Sequence, residues 1–330
     1  GADEMFDRAW WRRGAELGFT SFLVDEANGG GSVSGRGPLD LVIIAEELGR
    51  NVVPHPLLPT NVVAETLSRH ATPAIAGVIS AIVAGDVIPA WAGADGGISA
   101  EAHDDGFRLT GSCGHVEAAD QADWLLVTTS TSSGPTQFLL PADTPGVTIT
   151  RQESLDLLRH FARVEFDQVT VTAEAMVGDM GGADRDVERQ RSIAMLIQCA
   201  ETCGAAARVL EFTIEWAFDR YSFGRPLASY QALKHRFADM KLWLEASHAI
   251  TDEAAVALST NDSSDLVHAA KAYVGDRSVD LIQDCVQLHG GIGVTWEHDI
   301  HLYLRRATVN RGLFGDPTTH RTALANRLGI

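Results

Sequence analysis

The sequence predicts an α+β chain in three parts: an N-terminal helical domain, a middle antiparallel β domain and a C-terminal four-helix bundle. Apolar residues recur at helical spacing in the first part, at spacing two between Val87 and Val177, and at helical spacing again from Asp184 onward. With 330 residues, 45% apolar and 21% charged, the chain can bury a large core shared among two or three packed units. The expected boundaries are 1–85, 86–178 and 179–330.

The helical pattern starts at Asp3 and includes AWWRRGAELGF. After the loop Gly29-Gly30-Gly31 comes PLDLVIIAEELGR, with apolar residues on one helical face. Pro54, Pro56 and Pro59 interrupt this pattern before a further helix, VVAETLSRH. The middle part reads as short β-branched runs, GFRLTGSC, DWLLVTTS, TQFLLPA, GVTITRQ and ARVEFDQVTVTA, separated by Gly, Pro, Asp and Ser. Such runs fit a small antiparallel sandwich or barrel. Three long helical segments follow, beginning ERQRSIAML, SYQALKHRF and SDLVHAAKA, and their lengths suit antiparallel bundle helices.

Twenty-six basic against forty-four acidic side chains give a formal charge of −18, which argues against nucleic acid as a partner. A polyanionic ligand therefore needs a local cluster of cations. Cys113, Cys199, Cys203 and Cys285 show no CxxC spacing and read as buried thiols in a reducing cytosol. No stretch of eighteen apolar residues is seen, and the start GADEMFDRAWW lacks signal-peptide design. The expectation is a cytoplasmic protein with no membrane span.

Two C-terminal segments carry the most information. RYSFGRPLASYQALKHRFADM runs from Arg220 to Met240, and QLHGGIGVTWEHDIHLYLRRA from Gln287 to Ala307. They resemble the paired RxxFG and QxxGG signatures of the acyl-CoA dehydrogenase family. AEELGR, GFRLTG followed by ADWLLV, and LDLLRHFARVEFDQVTV also resemble family segments in order, so the resemblance extends over essentially the whole chain. It implies the family's helix, β domain, helical bundle order, an FAD cofactor held across a subunit interface, and oxidation of an acyl-CoA thioester to a 2-enoyl-CoA. Electrons would leave to an electron-transfer flavoprotein or similar acceptor.

By the same resemblance, Arg220, Ser222, Phe223, Gln231, Gln287, Gly290 and Gly291 would grip the adenosine diphosphate half of FAD. A guanidinium and glycine N–H groups are suited to a pyrophosphate. Plain structural roles are also open to them: Arg220 can close a helix C-terminus, and Gly290-Gly291 can end the next helix. At the flavin end the family's Thr-Glu pair is replaced by Ala94 and Asp95, and its Trp-x-Thr by His115 and Glu117. These departures remove the expected contacts, unless ordinary solvent-facing strand residues surround a site that uses backbone groups instead. A carboxylate there would disfavour an anionic reduced flavin, unless Glu117 protonates or turns to solvent.

The family's base is a Glu that takes the proton from the substrate Cα, and it must be ionised and within hydrogen-bond reach. Its two usual positions fall on Phe314 and Ala194. Asp316 lies two residues from the first and could act in a shifted loop register, but it has a complete role as the N-cap of THRTALANRL. Glu188 and Glu201 read as solvated or interhelically paired residues. His289, His298 and His301 lack metal-ligand spacing and read as core or interface histidines, so no metal is expected.

A retained ADP clamp joined to an altered flavin end and no base resembles the smaller subunit of actinobacterial α2β2 acyl-CoA dehydrogenases that degrade steroid side chains. The short N-terminal helical region agrees with that reading. The expected function is thus to complete a partner's FAD site. One alternative is a self-sufficient homo-oligomer using an unconventional base such as Asp316. Another is a non-redox assembly or CoA-ester-binding protein.

Overall fold

The computed structural model describes residues 7–260 and 264–329. The expected helix start at Asp3 and the N-terminal tip therefore lie outside the described residues. Backbone contacts divide the chain into two compact units. One comprises the chain to Asp40, Pro54–Ser154 and Leu158–Ala194; the other comprises Leu41–Val53, Leu155–Leu157 and the chain from Met195.

The first unit holds α1 (Arg8–Glu16), the start of α2 (Gly37–Arg50), α3 (Leu57–Arg69) and α4 (Ala76–Val83). It also holds strands β1 (Pro89–Ala92), β2 (Ile98–His103), β3 (Gly106–Glu117), β4 (Trp124–Thr131), β5 (Gly134–Pro141), β6 (Val147–Gln152), β7 (Phe161–Thr172) and β8 (Met176–Val177). Asp7 caps α1 by accepting from the Ala9 N–H at 2.7 Å, which satisfies one of the donors a helix start leaves without a partner.

The eight strands form one sheet in the order β6-β7-β3-β2-β4-β5-β8, with β1 added against β4. Ladders are antiparallel as expected, except that β1 and β2 each pair parallel with β4. The sheet is therefore mixed. The expectation missed β1 because its four residues, PAWA, are all buried and none is β-branched, so neither alternation nor composition marks the strand. Leu109, Leu125, Phe138, Val164 and Phe166 centre the core on its inner face.

A buried polar chain stitches the sheet to helices. Gln137 Nε2 donates to Thr128 Oγ1 at 2.9 Å, and Gln190 Nε2 donates to Thr66 Oγ1 at 2.8 Å, while the two glutamine amides bond each other. Gln190 belongs to α5 (Asp184–Asp219), which runs on into the second unit from Met195. By length and composition α5 could cross a membrane, but 94% of its apolar window is buried in the fold.

The second unit is helical: α2 from Leu41, α5 from Met195, α6 (Gln231–Thr260), α7 (Asp265–His289), α8 (Ile300–Gly312) and α9 (Pro317–Leu328). Gly49 and Gly204 let α2 and α5 touch backbone to backbone. A Cβ at Gly204 would lie 2.0 Å from the Glu46 carbonyl, and one at Gly49 would lie 2.1 Å from that of Glu201. Gly204→Ala must push the helices apart, and a loss of about 1–3 kcal/mol is expected in thermal or urea unfolding.

Lys271 is buried between α5, α7 and α8, donating to Gln198 Oε1 at 2.5 Å and to the Asn310 carbonyl. Asn310 Nδ2 in turn reaches Glu201 Oε2 at 3.3 Å, so Glu201 is engaged between helices while Glu188 is exposed. Cys199, Cys203 and Cys285 are buried free thiols and Cys113 is partly buried. Burial pushes the Cys199 thiol up to about 11 and that of Cys285 up to about 12, so neither is a nucleophile at neutral pH.

Candidate cofactor clamp and active site

Arg220 follows the last residue of α5, and its N–H still bonds the Trp216 carbonyl at 2.9 Å. Beyond it β9 (Tyr221–Ser222) and β10 (Arg225–Pro226) form a two-stranded hairpin whose turn is Phe223-Gly224, at φ +51° and +81°. Two positive φ values in succession are the turn geometry that matches strand twist. Glycine takes this at no cost, but Phe223 does so while 97% exposed.

Tyr230 braces the hairpin: its hydroxyl donates to the Ser222 carbonyl at 2.7 Å, and the Arg225 guanidinium lies 3.9 Å above its ring. Gln231 then opens α6. The guanidinium of Arg220 is exposed and has no ion-pair or hydrogen-bond partner among the described residues.

The second signature ends α7. Gln287 is exposed, and Gly290 has φ +64° and ψ −136°, a conformation reserved for glycine. A Cβ on Gly224, Gly290 or Gly291 would meet nothing within 4 Å. Their backbone is therefore open to an approaching ligand. Helix pairing brings the two signatures to one end: Arg236 of α6 pairs with Asp284 of α7, Cys285 Sγ lies 3.7 Å from Met240 Sδ, and Arg277 covers Trp243. This antiparallel register sets the first turn of α6 beside the last turn of α7.

His289 is buried at that helix end. Its Nδ1 donates to the Cys285 carbonyl at 2.9 Å, and its ring stacks on Trp216 at 5.4 Å and meets His298 edge-on at 4.6 Å. Burial holds it below the usual imidazole range, as a neutral packing residue. His301 packs edge-on against Trp296. No group of three metal-ligating side chains occurs among the described residues.

At the positions resembling the flavin end, His115 is exposed at a β3 irregularity with φ +58°, its N–H bonded to Gln152 Oε1 at 2.8 Å. Glu117 is different from the solvent-facing residue considered above. It is 6% exposed, with the Arg159 guanidinium 3.4 Å from its carboxylate. Beside it His160 lies between Asp120, 2.9 Å from its Nδ1, and the Arg151 guanidinium, 2.7 Å from its Nε2. Sequence reasoning missed this cluster, because Arg159 and His160 lie far along the chain from the carboxylates they meet.

Ala94 and Asp95 sit in a turn tied to α5, since Arg191 donates to the Ala94 carbonyl at 2.9 Å and to Asp95 Oδ1 at 3.0 Å. Next to this turn is a pocket of about 330 Å³, walled by Gly93–Ala94, the hydroxyl-rich end of β4 from Thr128 to Thr131, and Asp184 and Val187 of α5.

Ala194 is buried within α5 and offers no base. Phe314 stands at φ +60° between α8 and α9. Asp316 is the N-cap of α9: Oδ1 accepts from the Thr319 N–H at 2.8 Å and its hydroxyl at 2.7 Å. These bonds hold its carboxyl below the usual range and commit Oδ1 to the helix cap. The capping contribution is present at neutral pH and lost as pH falls through the lowered value.

Residues 192–329 match the acyl-CoA dehydrogenase C-terminal domain and residues 2–79 the N-terminal domain. The chain is 31% identical to acyl-CoA dehydrogenase IpdE2 of Mycobacterium tuberculosis, over 96% of this chain and 85% of that relative. Butyryl-CoA dehydrogenase from Megasphaera elsdenii superposes with a TM-score of 0.92 at 23% identity, covering 98% and 91% of the two chains. The ChsE4–ChsE5 complex from Mycobacterium tuberculosis gives 0.87 at 27%, covering 99% and 89%. A Tcur3481–Tcur3483 steroid ACAD variant gives 0.86 at 27%, covering 98% and 89%. These matches define the class as flavoprotein oxidoreductases acting on CH–CH groups. The chain belongs to the acyl-CoA dehydrogenase family.

Proposed function

We propose that the chain is the FAD-site-completing subunit of a heteromeric acyl-CoA dehydrogenase and supplies no catalytic base. The observation that carries this is the contrast within the chain. Arg220, Ser222, Phe223, Gln231, Gln287, Gly290 and Gly291 stand exposed or half-exposed at one end of the α6/α7 pair with open backbone around the glycines, whereas the base positions hold Phe314 and Ala194 and Asp316 is engaged as a cap.

These residues would fit the ADP half of FAD: the Arg220 guanidinium would neutralise pyrophosphate, the open backbone at Gly290-Gly291 would let it approach closely, and Phe223 would offer a ring for stacking. The flavin end fits less well, because Glu117 is a buried carboxylate paired with Arg159. Bound there, FAD would supply the hydride acceptor for Cβ of the acyl chain, and this chain's own residues would hold its ADP half while the base for the Cα proton would come from the partner subunit. The pocket beside Thr128–Thr131 suits an amide-bearing arm such as pantetheine, with hydroxyls to bond it.

A steroid side-chain CoA is the proposed substrate class, supported by the 27% identity to a steroid ACAD chain. An α2β2 assembly is supported by the two-component names of that protein and of ChsE4–ChsE5. An electron-transfer flavoprotein as acceptor and a cytoplasmic setting complete the reading, with domain limits kept at 85/86 and 178/179. Asp316→Asn tests it against the self-sufficient alternative: turnover of the assembled enzyme should stay within about twofold, since a lost catalytic base costs about 10²-fold or more. A collapse of turnover with folding intact would make Asp316 the base.

A further inference from the structure

The buried polar chain between sheet and helices has a direction, and it ends at the pocket beside Thr128. Thr66 Oγ1 donates its one proton to the Val62 carbonyl at 2.9 Å, so toward Gln190 it can only accept. That turns Gln190 Nε2 toward Thr66 and its oxygen toward Gln137. The reciprocal amide pair in turn points the second N–H of Gln137 at Thr128 Oγ1. The Trp91 indole, which can only donate, lies 3.4 Å from the same oxygen. Both lone pairs of the Thr128 hydroxyl are thereby filled.

A hydroxyl that accepts twice has only its proton left to offer. Thr128 donates to no acceptor among the described residues, is 8% exposed and lines the pocket. Its side chain is on the pocket's side of the sheet. Asp184 and Val187 of the pocket wall lie on the same stripe of α5 as Gln190, six and three residues before it, and Gln190 reaches Thr128 through Gln137.

The other hydroxyls of the wall are committed in the opposite sense. Ser130 Oγ donates to the Ile98 carbonyl at 3.3 Å, Thr129 Oγ1 to the Thr136 carbonyl at 3.0 Å and Thr131 Oγ1 to the Gly134 carbonyl at 2.8 Å. Toward a ligand these three can only accept. Ser130 is two residues from Thr128 on the same face of β4, about 6.6 Å along the strand. It is exposed, as is Asp184 with its carboxylate. The pocket therefore has a hydroxyl donor at its buried end and acceptors at its open end.

We propose that this pocket is a secondary-amide site, in which the Thr128 hydroxyl donates to the amide oxygen and Ser130 Oγ accepts the amide N–H. Two hydrogen bonds of about 2.9 Å laid across one planar amide bridge the spacing of the two residues. An anion is disfavoured, because the side chains around the single donor offer lone pairs and a carboxylate. The phosphates of an acyl-CoA would thus lie outside the pocket and one of its two pantetheine amides inside. That last assignment rests on the acyl-CoA reading above, whereas the preference for an amide rests on the hydrogen bonds alone.

Pantetheine, which has two secondary amides and no phosphate, is the probe, titrated into the whole chain by calorimetry. Thr128→Val should weaken its binding about fivefold, the worth of one neutral hydrogen bond, and Thr128→Ser should stay within about twofold of wild type. Inorganic phosphate should not compete. Because Thr128→Val also leaves the N–H groups of Gln137 and Trp91 without their acceptor, the ligand is varied as well. A pantetheine analogue with ester oxygens in place of both amide N–H groups should bind the wild-type chain about fivefold more weakly than pantetheine. Wild-type affinity in Thr128→Val, an ester as tight as the amide, competition by phosphate, or no binding of pantetheine at all overturns the proposal. None of these outcomes needs FAD or a partner. Amide-dependent pantetheine binding by a chain that never forms a yellow complex would uphold the amide site and remove the acyl-CoA dehydrogenase subunit reading.

Discussion

Arg220→Ala in the assembled complex is expected to weaken FAD retention about 10–100-fold, the range for losing one or two charge-assisted hydrogen bonds to a phosphate. The guanidinium is exposed and bonds nothing within the described chain, so the melting temperature of the isolated chain should not change. That separation between cofactor binding and stability distinguishes a clamp from a helix-closing residue. Arg220→Lys should fall between the two, because a lysine keeps the charge and loses the planar fork. Flavin fluorescence released on dilution of the complex measures all three proteins. Equal retention by wild type and Arg220→Ala would leave Arg220 with only its helix-end role.

The largest stability effect is expected at Asp156→Ala. Asp156 pairs with Arg306 of α8, both side chains are about as buried as any in the chain, and the guanidinium Nη1 and Nη2 have no hydrogen-bond partner among the described residues. Removing the carboxylate leaves an uncompensated buried charge, which costs about 3–5 kcal/mol. The melting temperature should then fall on the order of 10 °C. Exchanging both residues for apolar ones, Asp156→Leu with Arg306→Met, should recover most of the loss, because two charges no longer need desolvation. A thermal melt of the three proteins separates a penalty for one stranded charge from a need for the ion pair itself.

The legible and illegible parts of the chain divide along physical lines. Strands β3, β6 and β7 were readable because their residues alternate between core and solvent, whereas β4 and β5, buried on both faces at their centres, were readable as apolar runs bounded by turn residues. Strand β1 was not, since Pro89–Ala92 is only four residues long, is fully buried and holds no β-branched residue. The RxxFG and QxxGG segments announced themselves as motifs, but only the α6/α7 register puts them at one helix-pair end. Asp316 was correctly legible as a cap, because Asp-Pro-Thr-Thr is a local signal read within one turn of helix.

Glu117 shows the opposite limit. A carboxylate at the end of a strand looks solvent-facing from its neighbours alone, and its burial depends on Arg159, forty-two positions on. The same holds for Asp156 and Arg306, which are 150 residues apart. Buried pairs of opposite charge are made by tertiary structure, and no local pattern records them. The imidazole pair of His268 and His320 belongs to this class, with two helices needed to bring the rings together.

The central claim is that the chain completes a flavin site it cannot complete for itself, and the visible absorbance spectrum tests it most directly. The chain should be purified alone and then co-expressed with a second acyl-CoA dehydrogenase subunit. The account predicts a colourless lone chain and a yellow complex holding about one FAD per pair of subunits. A lone chain that carries a full complement of FAD, bleached on addition of an acyl-CoA, would contradict it.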